Sequence, residues 1–200
     1  MRRREAGWLR PGLRIRQGVL GDTNRMNPYA SFLGSQDPLI VVAATPEKLR
    51  AAIAKHETTL DLPRAPGKWS PRQILAHLAD TEIAFAMRLR QTAAEAHHVI
   101  QPFDQDAWSA AHPKPDAGTA LAMFAAVRAS NLDFIRAQPA SMMDKQVTHP
   151  ERGTMTFRTI VETMAGHDLN HLGQFRTSEL FNRPCFKVIY GQEIFLLCCF

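Results

Sequence analysis

Two histidines stand four residues apart in residues 164–171, which read Met-Ala-Gly-His-Asp-Leu-Asn-His. In a helix, His167 and His171 lie on one face, one turn apart, where two imidazoles can reach the same metal ion. This face continues an apolar stripe that contains Ile160 and Met164, so it is predicted to face the core. Buried polar groups need partners, and a metal ion shared by both rings is one such partner.

A third histidine lies in residues 74–82, where His77 shares a predicted helical face with Leu78 and Phe85. We therefore expect His77 to meet the other two histidines around one divalent metal ion inside a helical bundle. Three histidines that leave one coordination position open suit zinc, nickel or iron(II). The spacing alone leaves a second interpretation open, in which all three are core histidines that are hydrogen-bonded to their neighbours.

Two carboxylates accompany these histidines and are the candidate catalytic residues. Asp168 stands beside His167, where the zinc-protease helix has a glutamate, and it is a candidate base or a group that supports a ligand. Asp80 follows His77 by three residues and can accept a hydrogen bond from a ligand imidazole. An ordinary surface acid is the alternative for each of them. Glu82 is expected to be exposed.

The remaining histidines are weaker candidates. His56 lies on the apolar face of a predicted helix and is the other histidine expected to face the interior. Four histidines in predicted connections are expected to be solvated: His97, His98, His112 and His149. The sequence contains no Gly-x-Ser-x-Gly motif, no cysteine paired with a nearby histidine and no glycine-rich phosphate loop. Any reaction is therefore expected to depend on the metal.

The composition is typical of one soluble globular domain, with 45% hydrophobic and 22% charged residues in a chain of 200. The net charge of +5 belongs entirely to residues 1–25, and acidic and basic residues are equal in number in the remainder. A neutral body gives no electrostatic reason to expect binding to nucleic acid or to a membrane. The three cysteines form no disulfide framework and favour a reducing cytoplasm: Cys185, Cys198 and Cys199.

Residues 1–25 are predicted to be a disordered, arginine-rich extension. Pro11 and several glycines interrupt any helical pattern, and no apolar segment of a secretory signal is present. A translation start assigned too far upstream is the other explanation, with Met26 as the natural first residue. A transit peptide is less favoured, because the segment contains no serine.

The first of four predicted amphipathic helices begins at Thr45, because Pro46 then falls in the first turn, where proline is tolerated. Leu49 and Ile53 belong to the apolar face of this helix. The apolar run of residues 38–44 that precedes it is too short to assign.

The second predicted helix has the clearest start in the chain. Ser70 is the expected N-cap, Pro71 takes the first helical position, and Gln73 stands at the third, which completes a capping box. Trp69, directly before the cap, is placed to act as a hydrophobic staple. The helix is expected to run to about Glu95.

The third predicted helix begins after the cap residue Asp116 and ends before Pro139. The fourth runs from near Thr156 to about Asn182. Four amphipathic helices without convincing alternating strands predict an all-α four-helix bundle over residues 26–183.

Three further segments connect or follow these helices. Residues 97–115 form a long connection, of a kind that is often functional, in which Phe103 and Trp108 are candidates to line the mouth of a pocket. Residues 147–153 are predicted to be a turn-rich loop. Residues 184–200 are expected to be an irregular tail, either a short hairpin or a collapsed chain.

Three motifs occur in order along the chain. They are Lys-Trp-Ser-Pro-Arg-Gln-Ile-Leu-Ala-His-Leu-Ala-Asp-Thr-Glu at residues 68–82, Phe-Asp-Gln-Asp-Ala-Trp at 103–108 and Gly-His-Asp-Leu-Asn-His-Leu-Gly at 166–173. Together they resemble the DinB-like superfamily, which includes YfiT-type and bacillithiol-transferase-like proteins. The resemblance covers about residues 27–176. It implies a four-helix bundle with up-down-down-up topology, frequent dimers, and a metal ion on three histidines: His77, His167 and His171.

The resemblance also implies a function, since members with known activity mostly transfer low-molecular-weight thiols or isomerise with a thiol cofactor. The leading hypothesis is therefore a cytoplasmic metal-dependent thiol S-transferase that uses an exogenous low-molecular-weight thiol and a small-molecule substrate. Zinc is the metal expected first, with nickel and iron as alternatives. A metal-dependent hydrolase is the second hypothesis, and a non-catalytic, metal-stabilised stress-response binding protein is the third.

Overall fold

The computed structural model describes residues 27–181, 186–190 and 193–197, with side chains for residues 27–175. The extension predicted for residues 1–25 and the three cysteines lie outside these residues. In chain order the described elements are α1 (Ala30–Leu33), α2 (Pro38–Lys55), α3 (Pro71–Ala94), α4 (Gln105–Ala111), α5 (Ala117–Ala137), a 3-10 helix (Ala140–Asp144), β1 (Gln146–His149), β2 (Gly153–Thr156), α6 (Phe157–Phe181), β3 (Phe186–Tyr190) and β4 (Glu193–Leu197).

The four long helices, α2, α3, α5 and α6, form a bundle whose core consists of two apolar clusters. Every long helix contributes buried side chains to the first cluster, among them Val42, Leu89, Ile135 and Ile160. Every long helix also contributes to the second cluster, through side chains that include Leu49, Leu75, Phe124 and Phe175. The start of α2 thus packs with the ends of α3 and α5 and with the start of α6. The all-α four-helix bundle with up-down-down-up topology is confirmed.

The first helix of the bundle, α2, begins at Pro38, so the predicted start at Thr45 was wrong. Asp37 is the cap, and its carboxylate accepts a hydrogen bond from the amide of Leu39 at 2.8 Å. The apolar run that the sequence left unassigned therefore forms the first turns of α2. Pro46 lies inside the helix instead of at its start.

The helix α3 begins as predicted. The hydroxyl of Ser70 accepts from the amide of Gln73 at 3.3 Å, and the Gln73 side chain accepts from the amide of Ser70 at 2.9 Å. This is the expected capping box. Trp69 packs against the apolar cluster that contains Ile74, as a hydrophobic staple requires.

Two connections contain more regular structure than the sequence predicted. The turn-rich loop expected at residues 147–153 is most of a β-hairpin, in which Val147 opposes Met155 and both are buried. Gly153, with φ of 83°, starts the return strand in a backbone conformation that favours glycine. The long connection 97–115 contains α4, which begins at the cap residue Asp104.

At the C-terminal end of the described chain, β3 and β4 pair antiparallel, with Phe186 opposite Leu197. Of the two forms left open for this segment, the structure has the hairpin. Among the described helices, none is both long enough and apolar enough to span a lipid bilayer.

The centre of the bundle contains a buried ion network around Arg128, which is 1% exposed. Its Nε and Nη2 donate to the carboxylate of Glu82 at 2.9 and 2.7 Å. Its Nη1 and Nη2 donate to the carboxylate of Asp168 at 2.6 and 3.1 Å, and Nη1 also donates to the carbonyl oxygen of Val42 at 2.9 Å. Asn131 adds a bond of 2.7 Å to Glu82. Each long helix therefore supplies at least one member of the network.

The carbonyl of Val42 is available to Arg128 because Pro46 has no backbone N–H. In a regular helix the amide of residue 46 would bond to the carbonyl of residue 42. Proline removes this bond, and the Arg128 guanidinium replaces it with a donor from a neighbouring helix. The hydrogen bond that α2 loses at Pro46 is thus replaced by a bond from α5.

The first prediction concerns Arg128→Met, which leaves the carboxylates of Glu82 and Asp168 buried without a cation. We expect the free energy of unfolding to fall by about 3–5 kcal/mol, measured by urea denaturation. The control is Arg50→Met, which removes an exposed guanidinium paired with Glu47 and should change stability by less than about 1 kcal/mol. Equal losses in the two variants would show that the network does not stabilise the bundle.

Candidate metal centre

The three histidines predicted to share a metal ion meet inside the bundle. His77 comes from α3 and His167 and His171 from α6, and their exposed fractions are 5%, 4% and 6%. The Nε2 atoms of His77 and His167 are 3.0 Å apart, and one nitrogen from each of the three rings lies within 4.8 Å of the others. Two nitrogens that bind one tetrahedral ion are roughly 3.4 Å apart, because each lies roughly 2.1 Å from it. The donor set therefore fits one divalent ion.

A neighbouring side chain orients one of these rings. The Nδ1 atom of His171 lies 3.1 Å from Oε1 of Gln174, an acceptor, so Nδ1 carries the proton and Nε2 keeps a lone pair. The hydroxyl of Thr81, one turn after His77, lies 3.4 Å from both Nδ1 and Nε2 of that ring, so it does not select between the two nitrogens. The i to i+4 spacing on α6 and the bond to Gln174 thus direct one ring nitrogen of His167 and one of His171 toward the same candidate metal position.

All three histidines favour the neutral form. Burial, followed by the nearby His171, lowers the pKa of His77 to about 3. Burial, followed by the charges of His171 and His77, lowers the pKa of His167 well below its usual value. Burial also lowers the pKa of His171, against the opposing effects of Gln174 and Asp168. Neutral imidazoles are the form that binds a metal ion, so the site needs no deprotonation at neutral pH.

Aromatic rings enclose the three histidines. The ring of Trp69 lies 4.7 Å from that of His77, and the ring of Tyr29 meets His167 edge-on at 5.1 Å. The backbone of Tyr29 approaches α6 at Gly166, where a Cβ atom would lie 2.4 Å from the Tyr29 carbonyl oxygen. Only glycine at position 166 permits this contact, which brings the Tyr29 ring against the histidine centre.

A cleft opens beside His171, with a cavity volume of about 310 Å³. Its lining includes six side chains from segments outside α6: Tyr29, Arg64, Lys68, Trp69, Gln105 and Asp106. Asn170 and Gln174 of α6 complete the wall nearest to the histidine. Of the three histidines, His171 lines this cleft, so a small molecule in it would meet the candidate centre at that ring.

A second, much smaller pocket of about 10 Å³ lies on the other side of His77, with room for roughly one water molecule. Asp80 lines it together with Phe103 and Trp108, the aromatic residues of the 97–115 connection that the sequence placed at a pocket. Asp80 is half-buried, and burial raises the pKa of its carboxyl, opposed by the charge of His112. The structure thus places Asp80 in the wall of a pocket beside a candidate ligand.

The other acids are placed differently from the sequence expectations. Both oxygens of Asp168 accept bonds from Arg128, so this carboxylate faces the ion network of the bundle. The expectation that Glu82 is exposed was wrong, because it is 1% exposed and binds the same guanidinium. The periodicity of α3 alone places Glu82 at the surface, but Glu82 is buried because Arg128 of α5 supplies a cation for its carboxylate.

The remaining histidines do not join the centre. His56 is buried, as expected, and its Nε2 lies 3.0 Å from the carbonyl oxygen of Phe175. His98 and His149 were expected to be solvated, but both are buried, because the β1–β2 hairpin and the start of the 97–115 connection pair at Val99. His97 and His112 are exposed, as expected.

Sequence reasoning missed Arg128 and the walls of the centre. A signal for Arg128 was present, since it continues the apolar face of α5 that runs through Phe124 and Ile135. A charged residue on such a face implies a buried ion pair. No signal of this kind marked Tyr29, whose contact with His167 depends on how the N-terminal segment crosses α6.

The fold and the site together define an all-α bundle with a candidate centre for one divalent metal ion. The model of the DinB superfamily matches residues 42–175 of this chain, and the protein therefore belongs to that superfamily.

Individual relatives agree with this assignment. A protein of Oceanobacillus iheyensis, named as a candidate metal-dependent hydrolase, is 26% identical over 114 residues, which make up 56% of this chain and 66% of that protein. YfiT of Bacillus subtilis, named in the same way, is 34% identical over 70 residues, or 34% of this chain and 39% of YfiT. These two alignments span less than two thirds of each relative.

A solved structure of Bacillus subtilis YfiT, described as having an unusual four-helix bundle topology, is similar over 86% of this chain and 93% of that chain. The TM-score is 0.67 and the sequence identity is 20%, so the comparison shows a shared fold.

The second prediction concerns the pH dependence of the metal-free protein. His77 has a pKa of about 3 in the folded state, below its usual value of 6.5, so below pH 6.5 the unfolded chain binds more protons. The free energy of unfolding should therefore decrease as pH falls from 6.5 toward 3, by about 1 kcal/mol per pH unit from His77 alone. Urea unfolding at several pH values measures this slope. The His77→Gln variant should show a shallower slope, and identical slopes would contradict the prediction.

Proposed function

We propose that this protein is a metal-dependent enzyme that transfers a small exogenous thiol to a small-molecule substrate. His77, His167 and His171 would hold the ion, with zinc as the first choice and nickel or iron(II) as alternatives. The observation that carries the proposal is the 310 Å³ cleft that opens beside His171, because it gives small molecules access to the three-histidine set.

The donor set itself favours an open site. Within residues 27–175, no carboxylate joins the three rings as a further ligand. A structural metal site normally has four protein ligands, whereas a catalytic site keeps one position for water or substrate. This argument supports an enzyme over the third hypothesis, a non-catalytic metal-stabilised binding protein.

The surroundings of the centre favour a thiol as the nucleophile. His77, His167 and His171 would hold a divalent ion, and its Lewis acidity would make a small thiol acidic enough to react as its anion at neutral pH. Such a nucleophile needs no carboxylate base, and the carboxylate closest in sequence to a ligand, Asp168, is fully bonded to Arg128. Asp168 would position α6, and the aromatic rings of Trp69 and Tyr29 would exclude water from the reacting groups.

Hydrolysis is the second candidate, supported by Asp80 and by the names of the relatives. Asp80 lines a pocket of one-water size together with His77, and burial raises the pKa of its carboxyl toward that of a useful base. Relatives in Oceanobacillus iheyensis and Bacillus subtilis are named as candidate metal-dependent hydrolases. In this case Asp80 would activate a water molecule.

The third prediction concerns the metal content. Protein purified without a histidine tag should contain about one divalent ion per chain, measured by elemental analysis. The double variant His167→Ala, His171→Ala should lose it, because two of three ligands are gone. The control is His112→Ala, which removes an exposed histidine and should leave the metal content unchanged. An unchanged content in the double variant would exclude these residues as the ligands.

The fourth prediction separates the two enzyme functions. Titration of the cobalt-substituted protein with small thiols should produce a sulfur-to-cobalt charge-transfer band, and the His77→Ala variant should not show it. Hydrolysis of ester and amide substrates is assayed on the same samples. If no thiol produces the band while esters or amides are hydrolysed, the transferase proposal fails and the hydrolase replaces it.

A further inference from the structure

The loop that leads into α3 supplies two cations to the cleft beside the histidine centre. Arg64 and Lys68 both line this cleft, together with His171. Arg64 is half-buried and Lys68 is exposed. The residue after Lys68 is Trp69, whose ring lies nearly parallel to that of His171, with 6.4 Å between the ring centres and 18° between the planes. The loop that carries the two cations is therefore packed against a candidate metal ligand.

A tight turn fixes the spacing of the two cations along this loop. The amide of Lys68 donates to the carbonyl oxygen of Ala65 at 3.1 Å, which closes a four-residue turn. Pro66 and Gly67 are its central residues, and the φ of 72° at Gly67 is the feature that a type II turn requires at this position. Proline restricts φ, and glycine adopts a positive φ without strain, so the turn is stiff. Arg64 and Lys68 stand at its two ends and are held close together in the free protein.

Two further bonds hold this loop at its base. The amide of Arg72, in the first turn of α3, donates to the carbonyl oxygen of Leu60 at 3.0 Å. The Nε atom of Arg72 also donates to the carboxylate of Asp61 at 2.6 Å. Both ends of the loop are thus tied to α3, and a ligand that binds to the two cations pays little entropy to order their backbone.

The walls of the cleft are polar, whereas most ligand pockets are lined mainly by apolar side chains. Apart from the aromatic rings of Tyr29 and Trp69, the side chains that line it are charged, amide or imidazole groups: Arg64, Lys68, Gln105, Asp106, Asn170, His171 and Gln174. Among these described lining residues, two cations stand against one carboxylate, that of Asp106. A metal ion at the histidines would add to the positive charge. The cleft therefore favours a hydrophilic ligand that carries negative charge.

We propose that Arg64 and Lys68 select a carboxylate-bearing small molecule, which the cleft holds with its carboxylate at these two cations and its reactive end toward His171. The fork of an arginine matches a carboxylate, and a lysine adds a point charge beside it. The cleft volume of about 310 Å³ is at the lower end of the range for ligand pockets, which suits a small molecule. This inference rests on the proposed function for the reaction, but the selection of a carboxylate can be measured without it.

The first test uses succinate, which has no thiol, and isothermal titration calorimetry of the full-length protein as purified, at constant ionic strength. Wild-type protein should bind succinate, and the cleft double variant Arg64→Gln, Lys68→Gln should bind it at least about tenfold more weakly. The matched control is Lys48→Gln, Arg50→Gln, which removes the same two charges from the exposed surface of α2 and should bind succinate as the wild type does. Absence of binding in the wild type, or equal binding in the cleft double variant, overturns the inference.

Asp106 provides a variant of opposite sign in the same cleft. Asp106→Asn removes the opposing negative charge, so it should bind succinate about two- to fivefold more tightly than the wild type. An affinity no higher than that of the wild type counts against the charge argument. Lys68→Gln alone changes one exposed side chain, keeps the fold as measured by thermal unfolding, and should still weaken the binding of succinate.

The second test compares two thiols that differ in their charged end, 3-mercaptopropionate and 2-mercaptoethanol, on the cobalt-substituted protein at equal thiolate concentration. The carboxylate-bearing thiol should bind at least about tenfold more tightly to the wild type, and the cleft double variant should lose this preference. An equal affinity of the wild type for both thiols overturns the link between the two cations and the histidine centre. If neither thiol binds but succinate binds through Arg64 and Lys68, the thiol-transfer function fails and the selection of a carboxylate stands.

Discussion

The buried network around Arg128 is the interaction on which the rest of the bundle depends. A guanidinium has five N–H donors in fixed directions, and here every one is bonded to an acceptor from α2, α3 or α6. These acceptors reach the guanidinium only when α2, α3 and α6 pack around α5 in this arrangement and with this axial alignment. Unpaired buried charges cost several kcal/mol, so other packings of the same helices are strongly disfavoured.

This constraint reaches the histidine centre through α6. Asp168 follows His167 directly in the sequence. The bonds from Arg128 to the Asp168 carboxylate therefore fix the rotation and the axial position of the helical turn that carries the His167 ring. On the other side of the same turn, Gly166 allows the backbone of Tyr29 to approach closely. His167 is therefore held between a polar network and an aromatic ring, and its position is determined by packing on both sides.

Charge is distributed unevenly around this centre. The carboxylates of Glu82 and Asp168 exceed the charge of Arg128 by one, and this network lies directly beside His167 on α6. The three histidines favour the neutral form, because burial lowers the pKa of each. The excess negative charge of the network therefore favours a divalent cation at the three neutral rings.

The sequence by itself determined the features that depend on neighbours along one helix. Its periodicity identified the faces that carry His77 and the two histidines of α6, and capping chemistry located the start of α3 at Ser70. Only the tertiary structure decided that Pro46 lies inside α2, that Glu82 is buried and that Asp168 pairs with Arg128. These outcomes depend on donors and charges from distant segments, as when Arg128 bonds to the carbonyl that the proline leaves free. Local patterns specify a helix and its apolar face, but the partner of a buried polar group is chosen by packing in three dimensions.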